Sequence, residues 1–278
     1  VRHTHKIAKH LYLKRAGLRE LSFPNGSVSS VDQSPLPAAS ISYLAVTSGS
    51  MAAKPRSAWH EPDHGLALRT PALKQAKTTR GHTFYRDTVI YHESGLEHRV
   101  SVVLQTYRGL ARLISQYPKV EWVDEDGVAH HHTCDYFIEL ADGTRVAIVV
   151  KYERKREEML DLIERICNNG ITGIAKGGKR TVGVADAVVL VTNAQATQEA
   201  FENAYFLLSS RAHHDQAECA ALYDIVQQLP GTFRFGQLLL NCWPRAKRRT
   251  AIWRLLDLGL IEPVNPGLID ELAWLRAA

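Results

Sequence analysis

The stretch HHTCDYFIELADGTRVAIVVKYERK, residues 131–155, constrains the fold of this chain more than any other. Two apolar runs flank ADGT, whose Asp-Gly pair is a strong turn signal, so residues 134–140 and 145–152 are expected to pair as a β-hairpin. Register then decides whether Asp135 and Lys151 can cooperate, because a slip of one residue sends a side chain to the other face. A two-residue Asp142-Gly143 loop sets Asp135 opposite Val150 and turns Lys151 away. One more loop residue, or a glycine bulge at Gly143, sets Asp135 across from Lys151, with Phe137 and Val149 on the same face.

Upstream, Leu96, Val100, Val103, Leu104, Tyr107, Leu110, Ala111 and Ile114 recur at spacings of three and four, which predicts one long helix over residues 93–114. A short strand at KVEWVDE follows. Beyond the hairpin the pattern predicts a helix over 154–168 and a buried strand at DAVVLVTN, with Asn193 as the cap of the helix QATQEAFENAYFLLSS. These elements make an α/β core of about 120 residues. Residues 215–229 read as a helix broken by Pro230 and Gly231. The segment FRFGQLLLNCWPRAKRRTAIWRLLDLGLIEPV reads as helix, turn, helix and short strand.

Composition sets outer limits. The 278 residues carry a net charge of +5, which permits a polyanionic partner without requiring one. No apolar run of membrane length and no signal pattern occurs, so a soluble cytoplasmic protein with no membrane partner is expected. Cys134, Cys167, Cys219 and Cys242 lie far apart without finger spacing, which predicts reduced, largely buried thiols. Residues 1–50, with their Ser/Pro/Ala stretch, read as a poorly ordered tail or as a segment ahead of the first methionine, Met51.

A carboxylate beside a lysine on adjacent strands, with a second carboxylate from a preceding helix, suits metal-assisted phosphodiester hydrolysis. Glu97 is the second carboxylate in this reading. Two carboxylates about 5 Å apart repel by roughly 3 kcal/mol at an effective dielectric of 20, so a cation between them is needed to keep both ionised. Each residue has a plainer role open to it. SGLE is a capping box with Ser94 as N-cap and Glu97 at N3, Asp135 suits a strand start, and Lys151 suits a solvated surface lysine.

The segments SGLEHRV, HHTCDYF and VAIVVKY resemble the TnsA family of transposon-end endonucleases, within the restriction-endonuclease-like superfamily with its PD-(D/E)xK site. Residue by residue, the resemblance implies that Glu97, Asp135 and Lys151 are catalytic and that Glu97, Asp135 and the Val150 carbonyl hold Mg²⁺, with Mn²⁺ able to substitute. It covers residues 85–195. It implies an α/β fold: a poorly ordered tail over 1–80, a restriction-endonuclease-like nuclease domain over 81–212, and a winged-helix-like C-terminal domain over 213–278. It implies partners too: transposon-end DNA, a TnsB-like transposase and a TnsC-like ATPase. Two departures stand out, Cys134 where proline is common and Val149 where Glu or Gln is expected, with Glu93, Glu139 and Glu153 as possible replacements. Two other readings follow, a catalytically silent DNA-binding or docking protein of the same fold and a free-standing mobile-element nuclease.

Several further features bear on DNA. His130, His131 and His132 read as a polar approach to the strand, and His132, in the family-like HT pair, is the expected phosphate contact. GIAKGGKRTVG nearly fits a phosphate-binding loop, but Arg180 stands where Ser or Thr would be needed, so Lys176, Lys179 and Arg180 are read either as a flexible basic loop touching DNA backbone or as an ordinary solvated loop. Arg245, Lys247, Arg248, Arg249 and Arg254 make the second helix of the helix-turn-helix basic without an intervening acid, which suits phosphate contact or protein docking.

Overall fold

The helix expected over residues 93–114 ends early. The Ser94 side chain accepts a hydrogen bond from the Glu97 N–H at 3.2 Å and starts helix α1, Gly95–Leu104. After a turn the chain extends as a strand, Leu110–Ser115. The register of that strand slips between Leu110 and Arg112 against its neighbour, so Leu110 and Leu113 pack in the same cluster although three residues apart. A bulge therefore mimics helical spacing, and that is why periodicity misreads this segment.

The computed structural model describes residues 66–68, 79–86 and 88–278, all within the compact unit Glu61–Ala278. The expectation for the tail lies almost wholly outside the described residues. Strands β1 (Gly81–Tyr85) and β2 (Thr88–His92) form a hairpin before α1, and Leu110–Ser115 is β3. There follow β4 (Lys119–Val123), β5 (Ala129–Thr133), β6 (Tyr136–Leu140), β7 (Arg145–Val150), helix α2 (Arg156–Asn168), the short β8 (Gly173–Ile174) and β9 (Arg180–Thr181), and β10 (Ala187–Val191). The central sheet has the order β10-β7-β6-β3, with β6 antiparallel to both neighbours and β10 parallel to β7. A second sheet has the order β5-β4-β8-β9.

Helices cover both faces of the central sheet. On one face α1 packs Leu96, Val100 and Leu104 against Tyr136, Ile138, Ile148 and Val150. On the other, α2 packs Met159, Ile163 and Ile166 against Phe137, Ala147, Val149 and Val188. Each aliphatic side chain buried this way contributes about 1.5–3 kcal/mol, so the uninterrupted apolar run of β7 is what a doubly covered strand requires.

Helix α3 spans Gln198–His213, and its cap is Thr197, whose hydroxyl accepts from the Ala200 N–H at 3.1 Å. Asn193, expected in that role, instead accepts from the Glu153 N–H at 2.9 Å. Helix α4 (Gln216–Gln228) starts at Asp215, and after it come β11 (Thr232–Arg234), a 3-10 turn (Phe235–Leu239), α5 (Arg245–Leu258), β12 (Ile261–Pro263) and β13 (Trp274–Ala277). The first helix expected in this module is thus only the 3-10 turn, preceded by a strand. The three strands pair in the order β11-β13-β12 around a core that includes Leu222, Phe235, Ile252, Leu255 and Leu275.

Two contacts tie this module to α1. Arg108 reaches the Leu256 carbonyl at 3.5 Å beside Gly259, where a β-carbon would collide with the guanidinium and where φ is +64°. Arg211 of α3 binds Asp257 of α5 and the carbonyls of Gln105 and Thr106 at the end of α1. Among the described residues no helix is long and apolar enough to cross a membrane.

Candidate active site

The hairpin loop is neither of the two considered above in its details. Leu140 N–H bonds to the Thr144 carbonyl at 2.8 Å, so Ala141, Asp142 and Gly143 form the loop, with Gly143 at φ +88°. The loop gains its extra residue from Ala141 rather than Thr144. Tyr136 consequently faces Ile148, and Asp135 is not directly opposite Lys151.

A break in alternation at Asp135 adjusts this. Cys134 and Phe137 fall in the cluster beneath α2, whereas Tyr136 and Ile138 fall in the cluster beneath α1. Strict alternation cannot place residues three apart on one face, so the strand rotates at Asp135. There the Asp135 N–H bonds to the Ile148 carbonyl at 3.0 Å, and its Oδ2 accepts from the Val150 N–H at 2.7 Å. Lys151 Nζ lies 4.0 Å from that same oxygen. The pair predicted from the sequence is therefore brought together, by a different register.

Glu97 has its capping geometry. Its Oε1 accepts from the Ser94 hydroxyl at 2.9 Å and its Oε2 from the Glu93 N–H at 2.8 Å. The fully buried Tyr136 hydroxyl donates toward the Glu97 carbonyl at 3.0 Å and the Tyr91 carbonyl at 3.2 Å. Burial first, then the negative charges of Glu97 and Asp135, push the Tyr136 hydroxyl well above its usual range. Both carboxylates thus act on one ring, which stays neutral.

Val149 is fully buried in the cluster under α2 and offers no side-chain oxygen. Glu139 lies at the turn end of β6, opposite Arg145 and 3.7 Å from Arg112, which is the wrong end of the hairpin. Glu153 is held by Arg156 and by the Thr192 hydroxyl. Glu93 contributes its N–H to Glu97. Among the described residues no three His, Cys, Asp or Glu side chains converge on a metal position.

The histidine run is a strand, β5, rather than a loop. His130 stacks on Trp122 at 4.4 Å and bonds to Asp124 at 2.6 Å, which spends it on structure. His132 pairs across the sheet with Val120, and its Nε2 is buried without a hydrogen-bond partner among the described residues. Burial, then the Lys151 charge, lowers its pKa to about 4. Cys134 is buried, and burial and then the Asp135 charge push its thiol up to about 12, so it is protonated at neutral pH. All four cysteines are free, and Cys167 is exposed rather than buried.

The two histidines with strongly lowered values predict acid lability. Burial, reinforced by His98 and His82, also lowers His92 to about 4. A histidine at 6.5 when unfolded and near 4 when folded favours folding above pH 6.5, and that contribution is lost as pH falls from 6.5 to 4. Discounted for partial solvent access, this difference corresponds to about 1–2 kcal/mol per residue. Urea unfolding at pH 7.5 and 4.5 should show this loss, and His92→Gln should flatten part of it.

The basic features divide. Lys176 and Lys179 are exposed in the β8–β9 turn with no ion pair among the described residues, whereas Arg180 binds Glu121 at 2.7 Å. On α5, Lys247 pairs with Asp215 at 2.8 Å, and Arg248, Arg249 and Arg254 pair with Glu218, Glu271 and Asp257. Only Arg245, among the described basic residues 245–249, has no acidic partner. The pairing acids come from the start of α4, from Asp257 near the end of α5 itself and from Glu271 in the segment before β13.

No protein-family model matches this chain, and no curated protein matches it at a significant level.

Proposed function

We propose that the protein is a TnsA-like, Mg²⁺-dependent DNA endonuclease that hydrolyses one strand at the 5′ end of a transposon. In this reading it acts with a TnsB-like transposase and a TnsC-like ATPase. The observation that carries it is the Asp135 carboxylate, fixed by the Val150 N–H, 4.0 Å from Lys151 and beside the helix that bears Glu97. Topology supports it: a mixed four-stranded sheet between α1 and α2 is the arrangement of a restriction-endonuclease-like core. The order α4, β11, 3-10 turn, α5, β12, β13 likewise suits a winged helix.

The donor set fits a hard cation. Asp135, Glu97 and the Val150 carbonyl offer oxygen only, and Mg²⁺ is usually held by one or two carboxylates with water and substrate phosphate completing its shell. Glu97 can cap α1 and still contribute, because a carboxylate has about four acceptor sites and capping occupies two. When bound, Mg²⁺ would ease deprotonation of water and offset charge on the phosphate. Lys151 would orient the phosphate, with its position set by the Asp135 charge. The Val150 hydrogen bond would keep the Asp135 carboxylate from rotating. Incubating supercoiled plasmid with the full chain and Mg²⁺, alone and with transposase partners, tests the reading; nicks lost in Asp135→Asn are expected.

Buried Val149 favours a second reading, a catalytically silent DNA-binding or docking protein. It predicts DNA binding without any metal-dependent nicking in any mixture.

Of the cations singled out in the sequence, the exposed Lys176, Lys179 and Arg245 are free for DNA contact among the described residues, and Arg180, Lys247, Arg248 and Arg249 are ion-paired. Replacing Lys176 and Lys179 together by alanine should reduce the salt slope of duplex binding by about 2, and Arg245→Ala by about 1. Anisotropy titrations between 50 and 200 mM salt, roughly the range where such terms are large, provide the measurement.

A further inference from the structure

The hydrolytic site, as proposed above, lacks a side-chain group at Val149 to hold the attacking water. His132 lies on β5, three residues before Asp135. It pairs directly across β4–β5 with Val120, and directly opposed residues of an antiparallel pair project to the same face. Val120 is fully buried in the cluster that contains Cys134 and Val149. His132 therefore projects from the face of its own sheet that packs, through Val120, into the cluster holding Val149. The Lys151 charge acts on its ring, so the ring lies within electrostatic reach of the ammonium that is itself 4.0 Å from Asp135.

The Nε2 atom of His132 is buried and has no hydrogen-bond partner among the described residues. A buried polar atom left so is costly, and native proteins retain such atoms mainly where a water, an ion or a reaction uses them. The other buried histidine atom of this kind, His92 Nδ1, belongs to a ring stacked on His98 at 4.5 Å and packed against Gly81 of β1.

We propose that His132 is a further catalytic residue of the nuclease site, whose Nε2 holds the attacking water against the scissile phosphate in place of the side chain that Val149 does not supply. This inference rests on the nuclease reading. In the step, the water oxygen bonds to phosphorus and the water's proton moves to Nε2, from which it returns to solvent. The P–O bond to the leaving oxygen breaks, and that oxygen takes a proton from solvent. The role requires an unprotonated Nε2 with the ring proton on Nδ1, a tautomer that the unpartnered Nε2 permits.

The first test needs no activity. Nitrogen NMR of the ¹⁵N-labelled full chain at pH 7, with the His132 resonances assigned by loss in His132→Gln, should show Nε2 unprotonated and Nδ1 protonated. A proton on Nε2 would overturn the inference, whether or not the isolated chain nicks DNA. The second test is plasmid nicking with Mn²⁺. His132→Phe should lose about 100-fold in nicking rate at unchanged Mn²⁺ affinity, while His132→Gln, whose amide oxygen can accept from water, should recover a part of it. Parent-like nicking by His132→Phe overturns this inference and leaves the nuclease reading standing. A parent chain that neither binds Mn²⁺ through Asp135 nor nicks overturns both.

Discussion

Asp135→Ala is expected to lose metal-dependent cleavage by at least about 10³-fold and also to destabilise the fold by about 1–3 kcal/mol. Two separate roles produce these effects. The carboxylate is a proposed metal ligand, and its Oδ2 also satisfies the Val150 N–H at 2.7 Å inside a site where Asp135 is only 8% exposed. Alanine removes both, leaving a buried donor without its acceptor. Asp135→Asn separates them. The amide oxygen can still accept from Val150, so stability should stay within about 1 kcal/mol of the parent while cleavage and metal binding are lost. Chemical denaturation beside nicking assays on the two variants provides the check. Equal destabilisation by alanine and asparagine would contradict the role given to the Val150 contact.

Arg211→Ala should be among the most destabilising single changes in the chain, at about 3–5 kcal/mol. Its guanidinium forks onto Asp257, with bonds of 2.7 to 3.1 Å, and donates to the carbonyls of Gln105 at 2.7 Å and Thr106 at 2.8 Å. The Asp257 side chain is 5% exposed, so removing its partner leaves a buried charge with Arg254 alone. The two carbonyls follow the last turn of α1, where acceptors have no donor within the helix. Arg211 is thus both an ion-pair partner and a cap for the helix that carries Glu97. Arg211→Lys should recover only part of the loss, because an ammonium cannot reproduce the planar fork. Urea midpoints for the two variants measure this, and an alanine variant within about 0.5 kcal/mol of the parent would contradict it.

The sequence made the hairpin legible because its apolar runs are separated by a strong turn signal, and it made the proximity of Asp135 and Lys151 legible from their order. It did not reveal how they meet. A loop can draw its extra residue from either strand, and nothing local distinguishes Ala141 from Thr144. The rotation at Asp135 then depends on which core each neighbour can enter, Cys134 beneath α2 and Tyr136 beneath α1, which only the packed sheet decides. The strand β3 was hidden for a related reason, since its bulge gives Leu110 and Leu113 a helical spacing.

The electrostatics were the least legible. A run of cations on α5 looks like a DNA-binding face until Asp215, Glu218 and Glu271, distant in sequence, arrive beside it. The Arg211 tie links residues more than a hundred positions apart. The unpartnered Nε2 of His132 had only a weak sequence signal, its place in the HT pair before Asp135. Glu97 fits both of its readings, because the capping geometry is present and does not use all of the carboxylate's acceptor sites.

The central claim is a carboxylate metal site built on Asp135. Isothermal calorimetry of Mn²⁺ binding to the full chain, comparing the parent with Asp135→Asn, tests it without DNA or partner proteins. The account predicts saturable binding to the parent that disappears in the variant while the two unfold alike. Equal binding in both, or none in the parent, would contradict it and leave the docking reading in its place.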